Sequence, residues 1–383
     1  MAEAAGVGAA ASPGSARRRE VDRLIEVYEE QVRRQPSALD YTFLGRLYAQ
    51  RGRMTGDVAT FGQAEEALGR ALEIFPEDAE ARGLLASVRF AAHDFPGALR
   101  LAEELLTEEP GDPGALAVAG DARLELGDYA GATAAYDELA RRLPGAAAVD
   151  IRRARLAQLV GQVGEARRVA AGADAAAGAA GLDGADLAWY RSFRASIEVD
   201  AGRYAVAADL YRSAARMAPH YHLAQAGLGR ALAAAGRVDE AIRHYGRAVG
   251  LLPDPGYLAA LGDLYLLRDD RDLAREQYAT VEAVATLARV NRQVYNRQLA
   301  VFYADHGRRP VEAVALAERE LAVRQDVYGW DAYGWALYRA GRFAEARLAS
   351  DRALRLGTRD ARLLYHSGLI SLAWVTRTGR PGI

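Results

Sequence analysis

The sequence predicts an all-α protein, an α-α superhelical solenoid of about nine helix pairs with an N-terminal capping helix and an incomplete C-terminal repeat. The first observation behind this prediction is a fixed period of 34 residues, which is typical of helix-turn-helix repeat arrays. The period separates Pro76 from Pro110, Pro110 from Pro144, Pro219 from Pro253, and Gly334 from Gly368.

The second observation is a series of small residues at steps of 33 to 41 residues, most of them followed about twelve residues later by an alanine. Two short antiparallel helices approach closely only where the facing side chains are small, so each small residue is expected to meet the second helix of its pair. The series is Gly45, Ala86, Gly120, Ala154, Ala195, Gly229, Gly262, Ala300, Gly334 and Gly368.

The chain begins with a segment for which disorder is predicted, residues 1–19, because it is rich in Ala, Gly and Ser. Residues 20–36 carry one helical stripe of Val21, Leu24, Ile25, Tyr28 and Val32 and are predicted to form a capping helix. Repeats 1 to 4 follow over residues 37–177, and residues 53–60 are expected to enlarge the first repeat between its helices.

Residues 178–187 form a Gly- and Ala-rich linker, which is either a hinge or a passive loop. Repeats 5 to 9 are predicted over residues 188–356, with a longer second helix near Ala279 to Arg292. Residues 357–376 are predicted to be the first helix of an incomplete tenth repeat, and residues 377–383 a tail. Within each repeat, a glycine such as Gly236 ends the first helix and a proline such as Pro253 ends the second.

The chain resembles the tetratricopeptide-repeat family, whose pattern places a small residue in the first helix and an aromatic residue after the turn, followed by Ala, aromatic, Ala and a closing Pro. Residues 115–144 match at Ala119, Gly120, Gly127, Tyr129, Ala132, Tyr136 and Pro144. Residues 330–353 match at Trp330, Gly334, Leu337, Gly341, Phe343, Ala346 and Ala353. The resemblance covers about residues 37 to 376 and implies a binding function without naming the partner.

Composition excludes several classes of function. Cysteine is absent, so disulfides and thiolate chemistry are excluded. Every one of the 49 basic residues is arginine, so a phosphate-binding loop that ends in Gly-Lys and a Schiff-base lysine are excluded as well. The net charge of −2, with arginines interleaved among 51 acidic residues, argues against nucleic acid as a partner.

The N-terminus lacks the apolar core of a signal peptide and no apolar run is long enough to span a membrane, so a cytoplasmic protein is expected.

No catalytic or cofactor-binding motif is recognisable. His220 and His222 are the one histidine pair, but no third ligand lies near them in sequence, so a solvent-facing loop is favoured over a metal site. The glycines in residues 227–232 lie inside a repeat helix without a preceding strand, which excludes a dinucleotide loop. We therefore expect neither an enzyme nor a cofactor.

The resemblance implies that the first helices line a concave groove, and the repeat register predicts which side chains point into it. The C-terminal end of this groove is aromatic, and Trp335, Tyr338 and Arg339 together have the composition of a binding hot spot. The candidate partner-binding residues are Arg46, Asp121, Glu125, Arg155, Arg230, Asp263, Arg297, Asp305, Trp335, Tyr338 and Arg339, and the same face also carries Val301, Asp331 and Tyr365.

The leading hypothesis is a non-catalytic scaffold that binds a protein or peptide segment in this groove. The alternative is a regulatory sensor in which a ligand changes the curvature of the superhelix, and a third hypothesis is an enzyme of a new kind. The last helix carries more apolar residues than one packing face needs, among them Leu364, Leu369 and Trp374. This edge is expected either to mediate weak self-association or to be the end of a truncated reading frame.

Overall fold

The computed structural model describes residues 13–55, 58–182, 184–290 and 296–378, and these residues form twenty α-helices without a strand. Two compact units are distinguished, one up to Val88 and the other from Arg89 onward. The helices up to Val88 are α1 (Pro13–Arg34), α2 (Ala38–Thr55), α3 (Val58–Ile74) and most of α4 (Ala79–Ala91).

The second unit holds the remaining helices, which alternate as the first and second members of a repeat. They are α5 (Phe95–Glu108), α6 (Pro113–Glu125), α7 (Tyr129–Arg142), α8 (Ala147–Leu159), α9 (Val163–Ala179), α10 (Gly184–Asp200), α11 (Tyr204–Met217), α12 (His222–Ala234), α13 (Val238–Leu251), α14 (Pro255–Leu267), α15 (Arg271–Val290), α16 (Asn296–Asp305), α17 (Pro310–Val323), α18 (Val327–Arg339), α19 (Phe343–Ala353) and α20 (Ala361–Thr378). Consecutive helices pack as antiparallel pairs, from α6 with α7 to α18 with α19, and α20 stands without a second helix of its own among the described residues. The predicted all-α fold of tandem helix pairs is thereby confirmed.

Local sequence accounts for the helix ends. Gly236 adopts a φ of 75°, a left-handed conformation that a residue with a β-carbon resists, and α12 ends just before it. At the start of α6 the Asp112 carboxylate accepts a hydrogen bond of 2.6 Å from the backbone N–H of Ala115, and Pro113 occupies the first helical position. The first of these features was predicted from the sequence.

The close approach within each pair is real, but several glycines face a tyrosine rather than an alanine. A β-carbon added to Gly262 would lie 2.5 Å from the ring of Tyr278, and one added to Gly229 would lie 2.7 Å from the ring of Tyr245. A large side chain on the second helix thus occupies the space that the missing side chain leaves on the first.

Three segment predictions need correction. Helix α1 begins at Pro13, so the segment 13–19 predicted to be disordered is helical; proline suits the first helical position, and the arginines that follow are good helix formers. The buried stripe of Val21, Ile25 and Val32 is as predicted. Residues 1–12, which carry the rest of that prediction, lie outside the described residues.

The predicted linker over residues 178–187 is mostly helical. Helix α9 extends to Ala179 and α10 starts at Gly184, which leaves a connection of four residues, of which 183 lies outside the described residues. Alanine is the strongest helix former, so an Ala-rich segment lengthens the flanking helices. Likewise α2 reaches Thr55 and α3 starts at Val58, so the enlargement of the first repeat lengthens its helices.

The predicted long second helix is confirmed over the residues described, because α15 has 20 residues, the longest of the second helices. Its predicted end at Arg292 lies outside the described residues, as do residues 379–383 of the predicted tail.

Candidate functional site

The first helices of the repeats form one layer of the second unit. Helix α10 contacts α12, α14 contacts α16, α16 contacts α18, and α18 contacts α20, whereas the second helices show no contacts of this extent with one another among the described residues. The closer spacing of the first helices places them on the inner side of the curved array. We call their solvent side the inner face.

At the N-terminal end of the inner face, Asp121 is fully engaged by its neighbours. Its carboxylate accepts hydrogen bonds from the Tyr136 hydroxyl at 2.7 Å and from Arg152 Nε and Nη2 at 2.8 and 2.7 Å. A bidentate arginine contact is among the strongest that a carboxylate makes. Asp121 therefore holds consecutive repeats together, and its predicted role in partner binding is not supported by this geometry.

Glu125 and Arg155 take part in a contact that the sequence did not predict. The Glu125 carboxylate lies 2.8 Å from Arg324 Nε, and the guanidinium of Arg155 lies over the ring of Tyr328 at 5.3 Å. Burial raises the pKa of Glu125, against the opposing effect of Arg324. Both residues thus contact a segment that lies far along the chain.

Backbone groups complete this contact. The N–H of Gln325 donates to the carbonyl of Glu125 at 2.9 Å, and the N–H of Val327 donates to the Tyr129 hydroxyl at 3.0 Å. Because the first N–H groups of a helix have no partner within it, Tyr129 satisfies one that α18 leaves open.

A second set of bonds lies beside the first. Arg355 Nη2 donates to the carbonyl of Gly127 at 2.9 Å, and the Thr358 hydroxyl donates to the carbonyl of Leu159 at 2.5 Å. We define the seam as residues 124–129 and 159–161 on one side and residues 324–328 and 354–363 on the other.

The seam has a small apolar centre formed by Leu124, Leu159, Val327 and Leu363, all nearly inaccessible to solvent. Its partners are separated by 198 residues at Tyr129 and Val327 and by 199 at Leu159 and Thr358. That separation is close to six repeats of 34 residues, so the second unit completes about one turn before the chain contacts itself.

Arg297 is also engaged within the protein. Its guanidinium pairs with Asp326 at 2.6 Å and with Glu320 at 3.1 Å, and the three side chains are at most 18% exposed. Removal of one partner from a buried ion pair lowers the stability of the fold, because the remaining charge loses its compensation. The prediction that Arg297 faces a partner does not fit this geometry.

The middle of the inner face remains open. Arg230 exposes half of its side chain and pairs with Asp200 at 3.2 Å, and Gln158 donates to the same carboxylate at 2.5 Å. Burial raises the pKa of Asp200, while Arg230 opposes the shift. Farther along, the exposed Asp263 accepts from the Tyr278 hydroxyl at 2.6 Å and lies 2.9 Å from His306 Nε2.

Trp335 is not the exposed anchor that the sequence suggested. Only 4% of it is accessible, its Nε1 donates to Asp305 at 2.7 Å, and its ring stacks on His366 at a centroid distance of 4.2 Å. The structural reason is α20, which covers the ring from the next repeat. His366 in turn contacts the buried Asp331 at 3.0 Å.

Around this buried ring lies a group of exposed and half-buried side chains. Arg339 lies over the Trp335 ring at 5.7 Å, Tyr338 stacks on the ring at 5.0 Å, and Tyr365, 62% exposed, lies 6.4 Å from it. We define the C-terminal patch as Asp305, Tyr338, Arg339, Arg362 and Tyr365. Within the described part of the chain, no carboxylate lies at ion-pair distance from Arg339.

Two family models described as tetratricopeptide repeat match the sequence, one over residues 194–254 and the other over residues 60–119 and 89–150. These matches agree with the helix pairs and turn glycines of the structure. The chain contains multiple tetratricopeptide repeats.

Similar folds occur among solved structures. The human IFIT1 dimer with PPP-AAAA is 15% identical, with a TM-score of 0.54 over 89% of this chain and 87% of that one. The human IFIT1 dimer with m7Gppp-AAAA is 14% identical, with a TM-score of 0.53 over 88% of this chain and 95% of that one. The tetratricopeptide-repeat protein TTC0263 of Thermus thermophilus is 22% identical, with a TM-score of 0.44 over 51% of this chain and 99% of that one. No protein of curated function matches the sequence.

Several residues that matter in this tetratricopeptide-repeat array were missed from the sequence. Arg324 and Tyr328 lie at the end of a second helix and the start of a first helix, where the repeat register assigns no inner position. His366 and Gln158 are buried polar residues, and the only sequence signal for either is its place on the packed stripe of a first helix. The contact between residues about six repeats apart could not be predicted from the repeat pattern.

The remaining sequence candidates are placed as follows. In the first unit Arg46 is exposed and pairs with Glu80, with its guanidinium over Phe43. His222 donates to or accepts from the Tyr257 hydroxyl at 2.9 Å, and no three histidine or carboxylate side chains converge on a metal position in the residues described. None of the helices described has the length and apolar character that a membrane crossing requires.

The last helix shows the division of apolar residues that the sequence suggested. Leu363 and Ile370 are buried, whereas Leu364 and Leu372 are 53% and 61% exposed. Self-association through this edge stays a prediction.

Proposed function

We propose that this protein is a non-catalytic interaction protein that binds a protein or peptide segment through the C-terminal patch. Tetratricopeptide-repeat proteins typically mediate binding, which sets the class of function. The observation that supports this particular surface is Arg339, an exposed guanidinium held over a buried tryptophan without a carboxylate partner among the residues described.

The chemistry of the patch favours an acidic segment with an apolar or aromatic neighbour. The contact of Arg339 with the Trp335 ring restricts the guanidinium, so less conformational freedom is lost when it forms a bidentate contact with a carboxylate. Tyr365 and Tyr338 offer aromatic surface beside it, and such pairs of arginine and aromatic residues dominate the energetics of many interfaces. Other inner-face arginines, such as Arg297, already have carboxylate partners.

The other expectations from sequence accompany this proposal. A cytoplasmic protein without a cofactor fits the absence of cysteine and of recognisable catalytic motifs in the sequence. The IFIT1 structures carry PPP-AAAA and m7Gppp-AAAA, but a net charge of −2 argues against a nucleic-acid partner for this chain. The alternative of a curvature sensor is favoured by the seam, which links distant repeats.

Capture of partners from native cell extract tests the proposal. Wild type is compared with Arg339→Glu and with Arg319→Glu, which makes the same charge change at an exposed position of a second helix, α17. Proteins that bind the patch are retained by wild type and by Arg319→Glu but lost, by about tenfold or more, from Arg339→Glu. Equal retention by all three proteins would rule out the patch as the binding surface.

A further inference from the structure

The seam differs in kind from every other helix contact of the second unit. Consecutive helices share long packed faces, whereas the helix pairs that meet across the seam touch at a few residues near their ends. In a repeat array the stability is close to a sum of terms within repeats and between neighbours. The contacts across the seam join repeats that are six apart, so they contribute a further term to the stability of the array.

We infer that the seam is a latch, which opens without unfolding any repeat and whose opening frees Glu125 and Arg155 of the inner face. When the seam opens, every repeat keeps its neighbours, so only the seam contacts themselves are lost. These are the four hydrogen bonds, the Arg324–Glu125 pair and one small apolar cluster, together with the contacts of arginines over aromatic rings, namely Arg155 over Tyr328, Arg355 over Tyr129 and Arg324 over Phe95.

The backbone of the seam is built for close approach. A β-carbon at Gly161 would lie 2.3 Å from the carbonyl oxygen of Gly357, and one at Gly127 would lie 2.6 Å from the carbonyl oxygen of Gln325. Backbone atoms on the far side cannot move aside as the end of a side chain can. A single methyl group at either glycine therefore acts as a wedge in the latch.

Closure and partner binding compete for the same side chains. Arg155 stacks on Tyr328, and Glu125 pairs with Arg324, only while the latch is closed. A segment that binds these two inner-face residues favours the open state, and by linkage an open latch binds that segment more tightly. Such a segment is additional to the one proposed for the C-terminal patch, and the opening of the latch depends on neither.

Hydrogen exchange of the full-length protein without a partner tests the latch directly. The N–H groups of Gln325 and Val327 donate to acceptors about 200 residues away, so they exchange when the seam opens. Wild type is compared with Gly161→Ala and with Gly202→Ala. Both glycines end a first helix, with φ of 72° and 71°, but nothing lies within 4 Å of a β-carbon at Gly202.

We expect Gly161→Ala to speed exchange at Gln325 and Val327 by about tenfold or more while the helix interiors remain protected, and Gly202→Ala to leave these two sites unchanged. Because the chain has no cysteine, the pair Glu125→Cys and Gln325→Cys supplies the reverse test. Oxidation of this pair is expected to slow exchange at Val327 relative to the reduced protein.

Two outcomes would overturn the inference. In the first, Gln325 and Val327 exchange as slowly as the middle of α18 in all variants, which means that the seam does not open. In the second, Gly161→Ala speeds exchange throughout α6 to α20, which means that the seam opens only on unfolding. Neither result bears on the Arg339 experiment, so failure of the latch and failure of the proposed function are distinguishable.

Discussion

Two halves of the inner face share one repeat register and differ in what their polar side chains touch. In the half beside the seam, Glu125 and Arg155 contact residues near 324–328, and Arg297 is buried between two carboxylates. In the open half, Arg230 and Arg339 are exposed, one with a single ion pair and the other with an aromatic ring alone.

The difference in exposure depends on how many repeats separate two parts of the array that contact each other. Register decides which side of a helix faces inward, because the turn of each repeat fixes the orientation of its first helix. Whether that side is free depends on the pitch of the array, which brings residues about 199 apart into contact. A side chain at an inner position is therefore a candidate for binding only where no later turn covers it.

The largest effect is expected at Trp335, whose role in the open half is structural. Trp335→Ala removes a ring that is 4% exposed, together with its contacts to Asp305 and His366, so we expect a loss of about 3 to 5 kcal/mol in the free energy of unfolding. Trp189→Ala is the control, because Trp189 is 43% exposed, and should cost about 1 kcal/mol or less. Urea unfolding followed by far-UV circular dichroism measures both. Equal losses would show that the ring of Trp335 is not part of the core.

The comparison between the two halves is tested most directly by a pair of arginines. Arg297→Met removes the guanidinium that pairs with the buried Asp326 and leaves Glu320 with Arg324 alone, at 3.7 Å, so it is expected to cost about 3 kcal/mol. Arg230→Met removes one partly exposed pair with Asp200 and is expected to cost about 1 kcal/mol or less.

Unfolding of the two variants under the same conditions gives the difference. If Arg230→Met proves as costly as Arg297→Met, the two halves are alike in energy and the division proposed here is wrong.

Much of the fold could be predicted because the repeat is local. The turn glycines, such as Gly236, and the closing prolines, such as Pro253, affect only the backbone within a few residues. The helices end close to these glycines and prolines, as the 34-residue period predicts. The inner register was predictable for the same reason. Arg230, Asp263 and Arg339 lie exposed on first helices, as expected.

The rest depended on contacts that no local pattern encodes. Burial of Trp335 requires that His366, one repeat later, stacks on its ring, and the seam requires a particular pitch summed over six repeats. Small rotations between neighbours accumulate, so a change of a few degrees per repeat would separate Glu125 from Arg324. The Gly/Ala linker was misjudged for a simpler reason, since the helix propensity of its alanines outweighed the flexibility of its glycines.

The smallest effect expected is a pH dependence from His306 in the open half. Burial lowers the pKa of His306, but hydrogen bonds to Asp263 and to the carbonyl of Phe302 outweigh it, and the net pKa is raised. The folded state then binds the proton more tightly than the unfolded state does. The stability that His306 contributes is fully present below the ordinary histidine pKa and is lost as the pH rises through the raised value.

His222 provides a control of opposite sign, because burial lowers its pKa and the folded state favours the neutral ring. Its contribution is present above the ordinary histidine pKa and is lost as the pH falls toward the lowered value. Urea unfolding at about pH 5.5 and about pH 8.5 should therefore show that His306→Gln costs more stability at the lower pH, whereas His222→Gln costs more at the higher pH. If both substitutions show the same pH dependence, the Asp263–His306 contact does not carry charge, and the open half of the inner face is less polar than its geometry indicates.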